Sequence, residues 1–151
     1  MKVVLQRSLK SSVLVNEKVV GSIDKGLVIL VGFTIGDTID DINYLVDKII
    51  NLRIFDDDKG NLNYSLLDIN GEILSISQFT LYGDTKKGRK PDFKKALNYN
   101  DAKILYDLFN QKLKEYNIKV ETGIFGEDMC VNITNDGPVT IIADSKNQTF
   151  C

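Results

Sequence analysis

The sequence predicts a single α+β domain in which an antiparallel or mixed β-sheet curls around a buried strand, with two main helices packed outside it. Three observations favour this class: many short apolar runs bounded by turn residues, two well-separated stretches of helical spacing, and no regular alternation of strand and helix. The chain has 151 residues, of which 43% are hydrophobic and 26% charged. That composition suits one domain over residues 1–151 with material for a core.

The first half of the chain predicts four strands and a helix. Asn16-Glu17 and Asp24-Lys25-Gly26 are typical of turns, and Leu27–Val31 is apolar enough to be buried on both faces. Gly36-Asp37-Thr38 supplies a break and helix N-cap candidates. The predicted strands are 2–7, 13–15, 18–23 and 27–31, and the predicted helix is 38–51.

The second half adds a strand at 73–76, a helix at 101–116 and three more strands. The acidic stretch Asp56–Asn61 resembles a calcium loop, but Gly60 is its fifth residue and Leu67 occupies the twelfth position, so a solvated hairpin loop is predicted. The last strands are predicted at 118–122, 129–134 and 138–143, followed by a flexible tail over 145–151.

Composition excludes several kinds of chemistry. The chain contains no histidine, which rules out Ser-His-Asp and Cys-His catalysis and His-containing zinc sites. Cys130 lies in a predicted strand and suggests buried packing, whereas Cys151 suggests a free tail. The sequence therefore indicates neither a metal centre nor a cofactor.

Charge and hydropathy point to the cytoplasm. No apolar run approaches the roughly 20 residues that span a bilayer, and the N-terminus is unlike a signal peptide. The net charge of −2 argues against a general nucleic-acid coat, so any RNA contact must come from a local basic patch.

Two segments carry the candidate chemistry. The first, Ser77–Thr80 (called the SQFT segment), places two hydroxyls and an amide after a predicted strand and close to a Gly-Asp turn. The second, Asn135–Thr140 (the Gly-Pro segment), contains Gly137-Pro138 immediately before an apolar strand. From the residues alone, Gly137-Pro138 favours a turn that begins an edge strand.

Together these segments resemble the two signatures, SQxxT and Gly-Pro, of the D-aminoacyl-tRNA deacylases. The resemblance implies a barrel-like sheet, a homodimer, and hydrolysis of D-aminoacyl-tRNA to free tRNA and D-amino acid as chiral proofreading in translation. It extends in order over most of the chain, through residues 3–7, 26–32, 51–55, 83–91 and 122–126.

The resemblance also implies how chirality is selected. In the family, the Gly-Pro bond is cis and enters the active site of the partner subunit. The carbonyls of Gly137 and Pro138 would hold the substrate's α-amino group, so that an L side chain meets the Gly-Pro backbone and a D side chain points away. Glycine, which has no side chain, would also be accepted. In the family, Arg7 helps to hold this loop, whereas its position in a strand by itself indicates a surface ion pair.

Catalysis without histidine leaves two possibilities. Thr80 could act as a nucleophile with a lysine, a carboxylate or a backbone group as its base. The preferred hypothesis is that backbone N–H groups around Phe79 and Thr80 stabilise the oxyanion, while Ser77 and Gln78 orient the ester and the ribose. The ribose 2′-hydroxyl would then activate water.

Two further sets of residues are assigned to the tRNA 3′ end. Phe125 and Met129 match family positions that line the pocket of the terminal adenine, although core packing also explains them. The basic loop, Gly83–Pro91, is either an ordinary solvated loop or a phosphate-contacting patch. Its candidate phosphate ligands are Lys86, Lys87, Arg89 and Lys90.

Two other functions remain open. One is an editing domain of the same fold that removes a small L-amino acid from tRNA. The other is a nucleic-acid-binding module with little catalysis, since a eukaryotic relative is associated with DNA replication origins.

Overall fold

The computed structural model describes residues 1–147. The described chain contains ten strands, two α-helices and one short 3₁₀ helix. The strands are β1 (Lys2–Ser8), β2 (Ser11–Val15), β3 (Lys18–Ile23), β4 (Gly26–Gly32), β5 (Phe55–Asp56), β6 (Leu62–Tyr64), β7 (Glu72–Ser77), β8 (Val120–Thr122), β9 (Cys130–Asn132) and β10 (Asn135–Asp144). The helices are α1 (Ile39–Asn51), the 3₁₀ helix (Phe79–Tyr82) and α2 (Tyr99–Lys114).

The main sheet has five strands in the order β10-β1-β4-β7-β8. β1 is antiparallel to both β10 and β4, whereas β4, β7 and β8 are mutually parallel. A three-stranded sheet has the order β3-β2-β9, and β5 pairs with β6. The predicted α+β class with a mixed sheet is confirmed, and the sheets are open rather than closed into a barrel.

Two hydrophobic cores lie on opposite faces of the main sheet. Leu27, Ile29 and Val31 of β4 join the core that contains α1 and α2. Val28 of the same strand joins a smaller core with residues of β2 and β3, such as Val13. β4 is therefore buried on both faces, as its continuous apolar run predicts.

Helix α1 begins where predicted because Thr38 caps it. The Thr38 side chain accepts the backbone N–H of Asp40, and the Asp41 carboxylate accepts the backbone N–H of Thr38. This reciprocal arrangement satisfies donors that have no partner inside the helix. The buried apolar residues of α1 are Ile42, Leu45, Val46, Ile49 and Ile50.

The prediction of a flexible tail from residue 145 is wrong at its first residues. Ser145 is buried, and its hydroxyl donates a hydrogen bond of 2.6 Å to the Asp41 carboxylate. The Lys146 ammonium group lies 2.8 Å from the same oxygen, Asp41 Oδ1, and donates to the other oxygen, Oδ2, at 2.9 Å. The sequence prediction missed these contacts because they join residues more than 100 positions apart. Residues 148–151, including Cys151, lie outside the described part of the chain.

Two other local predictions need correction. The predicted turn at Gly83-Asp84 is absent: Phe79–Tyr82 forms a 3₁₀ helix, the Gly83 backbone is extended, and Asp84 forms a β-bridge with Asp92. Cys130 lies on β9 as a strand residue, but its side chain is exposed rather than buried. The hairpin loop after Asp56 is confirmed, since Asp57 accepts the backbone N–H groups of Lys59 and Asn61 at 2.9 Å each. Within residues 1–147, neither helix has the length and apolar character needed to cross a membrane.

The Asp41 carboxylate should stabilise the fold in a pH-dependent way. Burial tends to raise its pKa, but hydrogen bonds from Lys146, Ser145 and the Thr38 backbone outweigh this effect and hold the pKa well below its ordinary value. The ionised carboxylate therefore stabilises the fold at neutral pH, and this contribution is lost as the pH falls below about 4.

We expect Asp41→Asn to lower the free energy of unfolding by about 2 kcal/mol at pH 7, with a difference from wild type that shrinks on acidification. Urea denaturation between pH 3 and pH 7 measures this. The matched control is Asp40→Asn, which removes an exposed charge from the same helical turn. Equal losses in the two variants would contradict the assigned role of Asp41.

Candidate active site

A cavity of about 540 Å³ lies beyond the carboxyl ends of β4, β7 and β8. These three strands are parallel, so the segments that follow them meet at one edge of the sheet. In sheets of this kind, ligands bind outside the carboxyl ends of the strands. The lining residues are Val31, Phe33, Ile76, Ser77, Gln78, Phe79, Leu97, Tyr99, Ala102, Phe125, Gly126, Glu127, Asp128, Met129 and Val131.

Ser77, Gln78 and Phe79 of the SQFT segment form one wall of this cavity, whereas Thr80 is not among the lining residues. Ser77 ends β7, and the Gln78 backbone N–H donates to the carbonyl of Val31 at 2.7 Å, which fixes the chain as it leaves the sheet. The Gln78 side-chain amide donates to the Thr80 hydroxyl. The Phe79 side chain is 57% exposed, which is unusual for a phenylalanine and leaves its ring available at the cavity mouth.

The 3₁₀ helix leaves backbone donors free at its start. Leu81 N–H donates to the Gln78 carbonyl and Gly83 N–H donates to the Thr80 carbonyl, at 3.2 and 3.0 Å. A 3₁₀ helix cannot pair the N–H groups of its first residues internally, which here belong to Phe79 and Thr80. Within residues 1–147, these two adjacent amide donors have no hydrogen-bond acceptor, so they can bind a negatively charged oxygen beside Ser77.

A second, aromatic wall belongs to the segment after β8. Phe125 is half-buried and contacts two tyrosines of α2, Tyr99 and Tyr106, with ring centroids 5.1 and 5.5 Å away. Met129 lines the cavity and also packs against the smaller core. Among the lining residues, Phe33, Leu97, Tyr99, Ala102, Glu127 and Asp128 were not predicted from the sequence.

The basic loop is anchored next to the 3₁₀ helix. Asp84 and Asp92 exchange two backbone hydrogen bonds of 2.8 and 2.9 Å at its base. Phe93, which follows, packs its ring against Phe79 with centroids 5.2 Å apart. The four predicted phosphate ligands, Lys86, Lys87, Arg89 and Lys90, are all exposed and form no ion pair within residues 1–147.

The Gly-Pro segment lies in an irregular stretch of β10. Gln6 pairs with Thr140 and Ser8 pairs with Asn135, so residues 136–139 bulge opposite Arg7. The Gly137-Pro138 bond is cis, Gly137 has φ +119°, and both residues are exposed. The segment therefore presents backbone to the surface of the molecule.

Arg7 is buried beneath this bulge rather than paired on the surface. Its guanidinium donates to the carbonyl of Ile54 at 3.0 Å and to the carbonyl of Asp136 at 3.2 Å. It also forms ion pairs with Asp56 and Asp136, each at 3.2 Å. Since one rigid guanidinium satisfies four acceptors, Arg7 fixes the backbone that leads into Gly137.

The two signature segments do not meet within one chain. In the strand register, Ser77 of β7 is aligned with Val31 of β4 and Val3 of β1. The Gly-Pro bulge is on β10, three strands from β7, and is aligned with Arg7, four residues farther along β1 than Val3. Strand spacings of about 4.8 Å across and 3.3 Å along the chain give a separation of roughly 20 Å. Neither Gly137 nor Pro138 lines the cavity.

Comparisons with known proteins agree on one family. Residues 4–144 match the family model described as D-Tyr-tRNA(Tyr) deacylase. A D-aminoacyl-tRNA deacylase from Clostridium botulinum is 59% identical over 97% of this chain and 98% of the relative. One from Bacillus velezensis is 56% identical over 97% of this chain and 99% of the relative.

Two solved structures share the fold. The c-Myc DNA Unwinding Element Binding Protein is 38% identical, with a TM-score of 0.90 over 95% of this chain and 98% of that one. A probable eukaryotic D-amino acid tRNA deacylase superposes with a TM-score of 0.81 over 94% of this chain and 97% of that one, at 21% identity.

The contacts of Arg7 predict a specific loss of stability. In Arg7→Lys, the charge remains, but a single ammonium group cannot reach the same acceptors, so we expect unfolding to become easier by about 2 kcal/mol. Urea denaturation measures this, with Arg53→Lys, an exchange at an exposed neighbouring arginine, as the control. If both variants lose the same stability, Arg7 does not anchor the bulge.

Proposed function

Because the chain belongs to the D-Tyr-tRNA(Tyr) deacylase family and hydrolyses the ester bond of D-aminoacyl-tRNA, we propose that the reaction takes place in the cavity beyond β7. The observation that carries this proposal is the cavity itself, which has the SQFT segment on one wall and Phe125 with Met129 on the other. The products are free tRNA and a D-amino acid, so the reaction proofreads aminoacyl-tRNA for translation in the cytoplasm.

In the proposed mechanism, water attacks the ester carbonyl and the substrate supplies the base. The chain has no histidine. Within the described residues, the Thr80 hydroxyl forms one side-chain hydrogen bond, with the Gln78 amide as donor, and no base contacts it. The ribose 2′-hydroxyl lies next to the 3′-ester in any aminoacyl-tRNA and can relay a proton: its oxygen accepts one from the attacking water while its own proton passes to the 3′-oxygen. When the tetrahedral intermediate collapses, the 3′-oxygen leaves with a proton and the tRNA regains its 3′-hydroxyl.

The protein would contribute orientation and charge stabilisation. The free N–H groups of Phe79 and Thr80 are suited to bind the developing oxyanion, and donors of this kind are worth about 10²–10³ in rate. Ser77 and Gln78 would hold the ester and the ribose. An aminoacyl ester is already reactive, so positioning of this kind can suffice without a protein nucleophile.

The tRNA 3′ end would lie between the two walls. Phe125 and Met129 would contact the terminal adenine, since an aromatic face and a thioether suit a planar base. The basic loop beside Phe79 would receive the preceding phosphates through Lys86, Lys87, Arg89 and Lys90. This direction is supported by Glu127 and Asp128, which put negative charge in the cavity lining next to Phe125.

Chirality would be checked by a second copy of the chain. We propose a homodimer in which the Gly-Pro segment of one protomer enters the cavity of its partner. Support comes from the roughly 20 Å between the two segments within one chain and from the exposure of Gly137 and Pro138. Their carbonyls would hold the substrate's α-amino group, so that an L side chain is excluded, while D-residues and glycine fit.

The direct test of activity uses D-tyrosyl-tRNA and L-tyrosyl-tRNA in parallel. We expect rapid loss of the D-ester and loss of the L-ester at the rate seen in buffer alone. Glycyl-tRNA should be hydrolysed as well. Equal hydrolysis of both tyrosyl esters would overturn the selection by the Gly-Pro segment. Preferential hydrolysis of a small L-aminoacyl ester would indicate an editing domain instead.

Three variants separate a hydroxyl nucleophile from a backbone oxyanion site. Thr80→Ala should retain appreciable activity, within about tenfold of wild type, because no bond forms to its oxygen. Phe79→Pro deletes one backbone donor at a helical position that accepts proline and should reduce kcat about 10²-fold or more. Phe79→Ala controls for the lost ring. Complete inactivity of Thr80→Ala with normal tRNA binding would instead support Thr80 as the nucleophile.

Mixed dimers test whether the site is shared between protomers. In Gly137→Ala, the new Cβ would lie 3.0 Å from Arg7 Nη2 and from the Val139 backbone nitrogen, at a φ of +119°, so the Gly-Pro segment must move. Gln78→Ala removes a group of the SQFT segment. Each variant should be defective alone, but a mixed dimer regains one site with both segments intact.

Equal co-expression of the two variants should therefore recover selective activity to about one quarter of wild type, since half of the dimers are mixed. Two different affinity tags allow the mixed dimer to be isolated before the assay. If it shows only the average of the two parents, both segments act in the same chain.

A second candidate function, DNA binding, is favoured by a single comparison: the similar structure with a TM-score of 0.90 is named as a DNA-binding protein. A gel shift on duplex DNA at physiological salt distinguishes it. Affinity for duplex DNA with no hydrolysis of D-aminoacyl-tRNA would favour the binding module, whereas hydrolysis without a shift would exclude it.

A further inference from the structure

Tyr99 occupies an exposed position at the mouth of the cavity. It is the first residue of α2, and its side chain is 57% exposed although it lines the cavity beside Phe125. The two rings meet edge to face, with centroids 5.1 Å apart and an interplanar angle of 71°. They form a corner open to solvent, which we call the aromatic corner.

The inner ring of this corner has rigid support. Tyr106 packs behind Phe125 with centroids 5.5 Å apart, and its own ring is only 4% exposed. The Tyr106 hydroxyl donates to the carbonyl of Ser75 at 2.8 Å. Phe125 is therefore held from inside by a buried tyrosine and covered from outside by Tyr99.

Gly126 makes room for the outer ring. A Cβ at this position would lie 2.6 Å from Cε2, 2.8 Å from the hydroxyl oxygen and 3.1 Å from Cζ of Tyr99, and these are its closest neighbours. Gly126 also has φ +83°, a conformation that suits glycine. The Tyr99 ring therefore lies directly over the backbone next to Phe125, and this position requires glycine at residue 126.

We propose that Tyr99 is a positioning residue for the terminal base of the tRNA, a role that rests on the proposed function. Two rings at 71° cannot both stack on one planar base, so one ring contacts its face and the other covers its edge. Neighbouring Glu127 and Asp128 repel phosphate and can accept hydrogen bonds from an exocyclic amino group. The corner thus fits an amino-bearing base better than any phosphate-rich part of the strand.

The test uses a non-hydrolysable probe, 3′-deoxy-3′-(D-tyrosylamino)adenosine, with the dissociation constant measured by calorimetry. Tyr99→Phe should bind it within about twofold of wild type, because the ring is kept, and Tyr99→Ala should bind it about tenfold more weakly. With D-tyrosyl-tRNA, Tyr99→Ala should raise KM and leave kcat within about twofold. Tyr116→Ala, at an exposed tyrosine outside the cavity lining, is the matched control. Unchanged binding by Tyr99→Ala would overturn the proposal.

Gly126→Ala provides an independent test that keeps every atom of Tyr99. Its Cβ should displace the ring and weaken probe binding in the wild-type background, but weaken it much less when combined with Tyr99→Ala. Equal weakening in both backgrounds would assign the effect to the backbone at residue 126 and overturn the role of Tyr99.

The outcomes also separate this proposal from the proposed function. If probe binding depends on Tyr99 but D-aminoacyl-tRNA is not hydrolysed, the role of Tyr99 is supported and the proposed function is overturned. If D-aminoacyl-tRNA is hydrolysed with a KM that does not change in Tyr99→Ala, only the role of Tyr99 is overturned. Failure of the wild-type protein to bind the probe would also overturn the role of Tyr99.

Discussion

The parallel pairing of β4 with β7 is the constraint on which the rest of the molecule depends. It runs from Gly26 opposite Glu72 to Val31 opposite Ser77. A side chain at Gly26 would place its Cβ 1.9 Å from the Glu72 carbonyl oxygen, and one at Gly32 would lie 2.9 Å from the Gln78 carbonyl oxygen. β4 can approach β7 this closely only because glycine stands at both of its ends. The approach brings the SQFT segment, the cavity and the 3₁₀ helix to one edge of the sheet.

The elements of the fold were largely predictable, because their patterns are local. The apolar spacing that predicts α1 and the turn at Asn16-Glu17 each depend only on residues close together in the sequence. The cavity was predictable only in part, since it depends on which strands run parallel. Phe33, Leu97 and Ala102 come from two distant segments and resemble core residues until the fold places them in the cavity lining with Gln78. The burial of Arg7 was likewise hidden, since its acceptors lie about 50 and 130 positions away along the chain.

Separate placement of the two signature segments has a physical advantage under the proposed function. A backbone that must reject one enantiomer has to be rigid, whereas a catalytic edge must admit the flexible end of a tRNA. Arg7 holds the Gly-Pro bulge from beneath with a buried guanidinium, far from the exposed loops around the cavity. A dimer would bring this rigid backbone to the open edge only after each part had been fixed by its own core. Selection by backbone also leaves no side chain that a single substitution could easily adapt to L-residues.

The local arrangement of charge matters more than the net charge of −2. A tRNA end carries its negative charge on phosphates and none on the terminal base. The basic loop stands beside Phe79, whereas Glu127 and Asp128 follow Phe125 in the cavity lining, so basic and acidic side chains lie on different segments around the cavity. Under the proposed function, this separation of charge would favour one direction of the strand, with phosphates at the loop and the base at the aromatic corner. A uniformly basic cavity would bind RNA more tightly but would not distinguish its two directions. Under the proposed function, the acidic residues that follow Phe125 would therefore orient the substrate and leave the ester beside the SQFT segment.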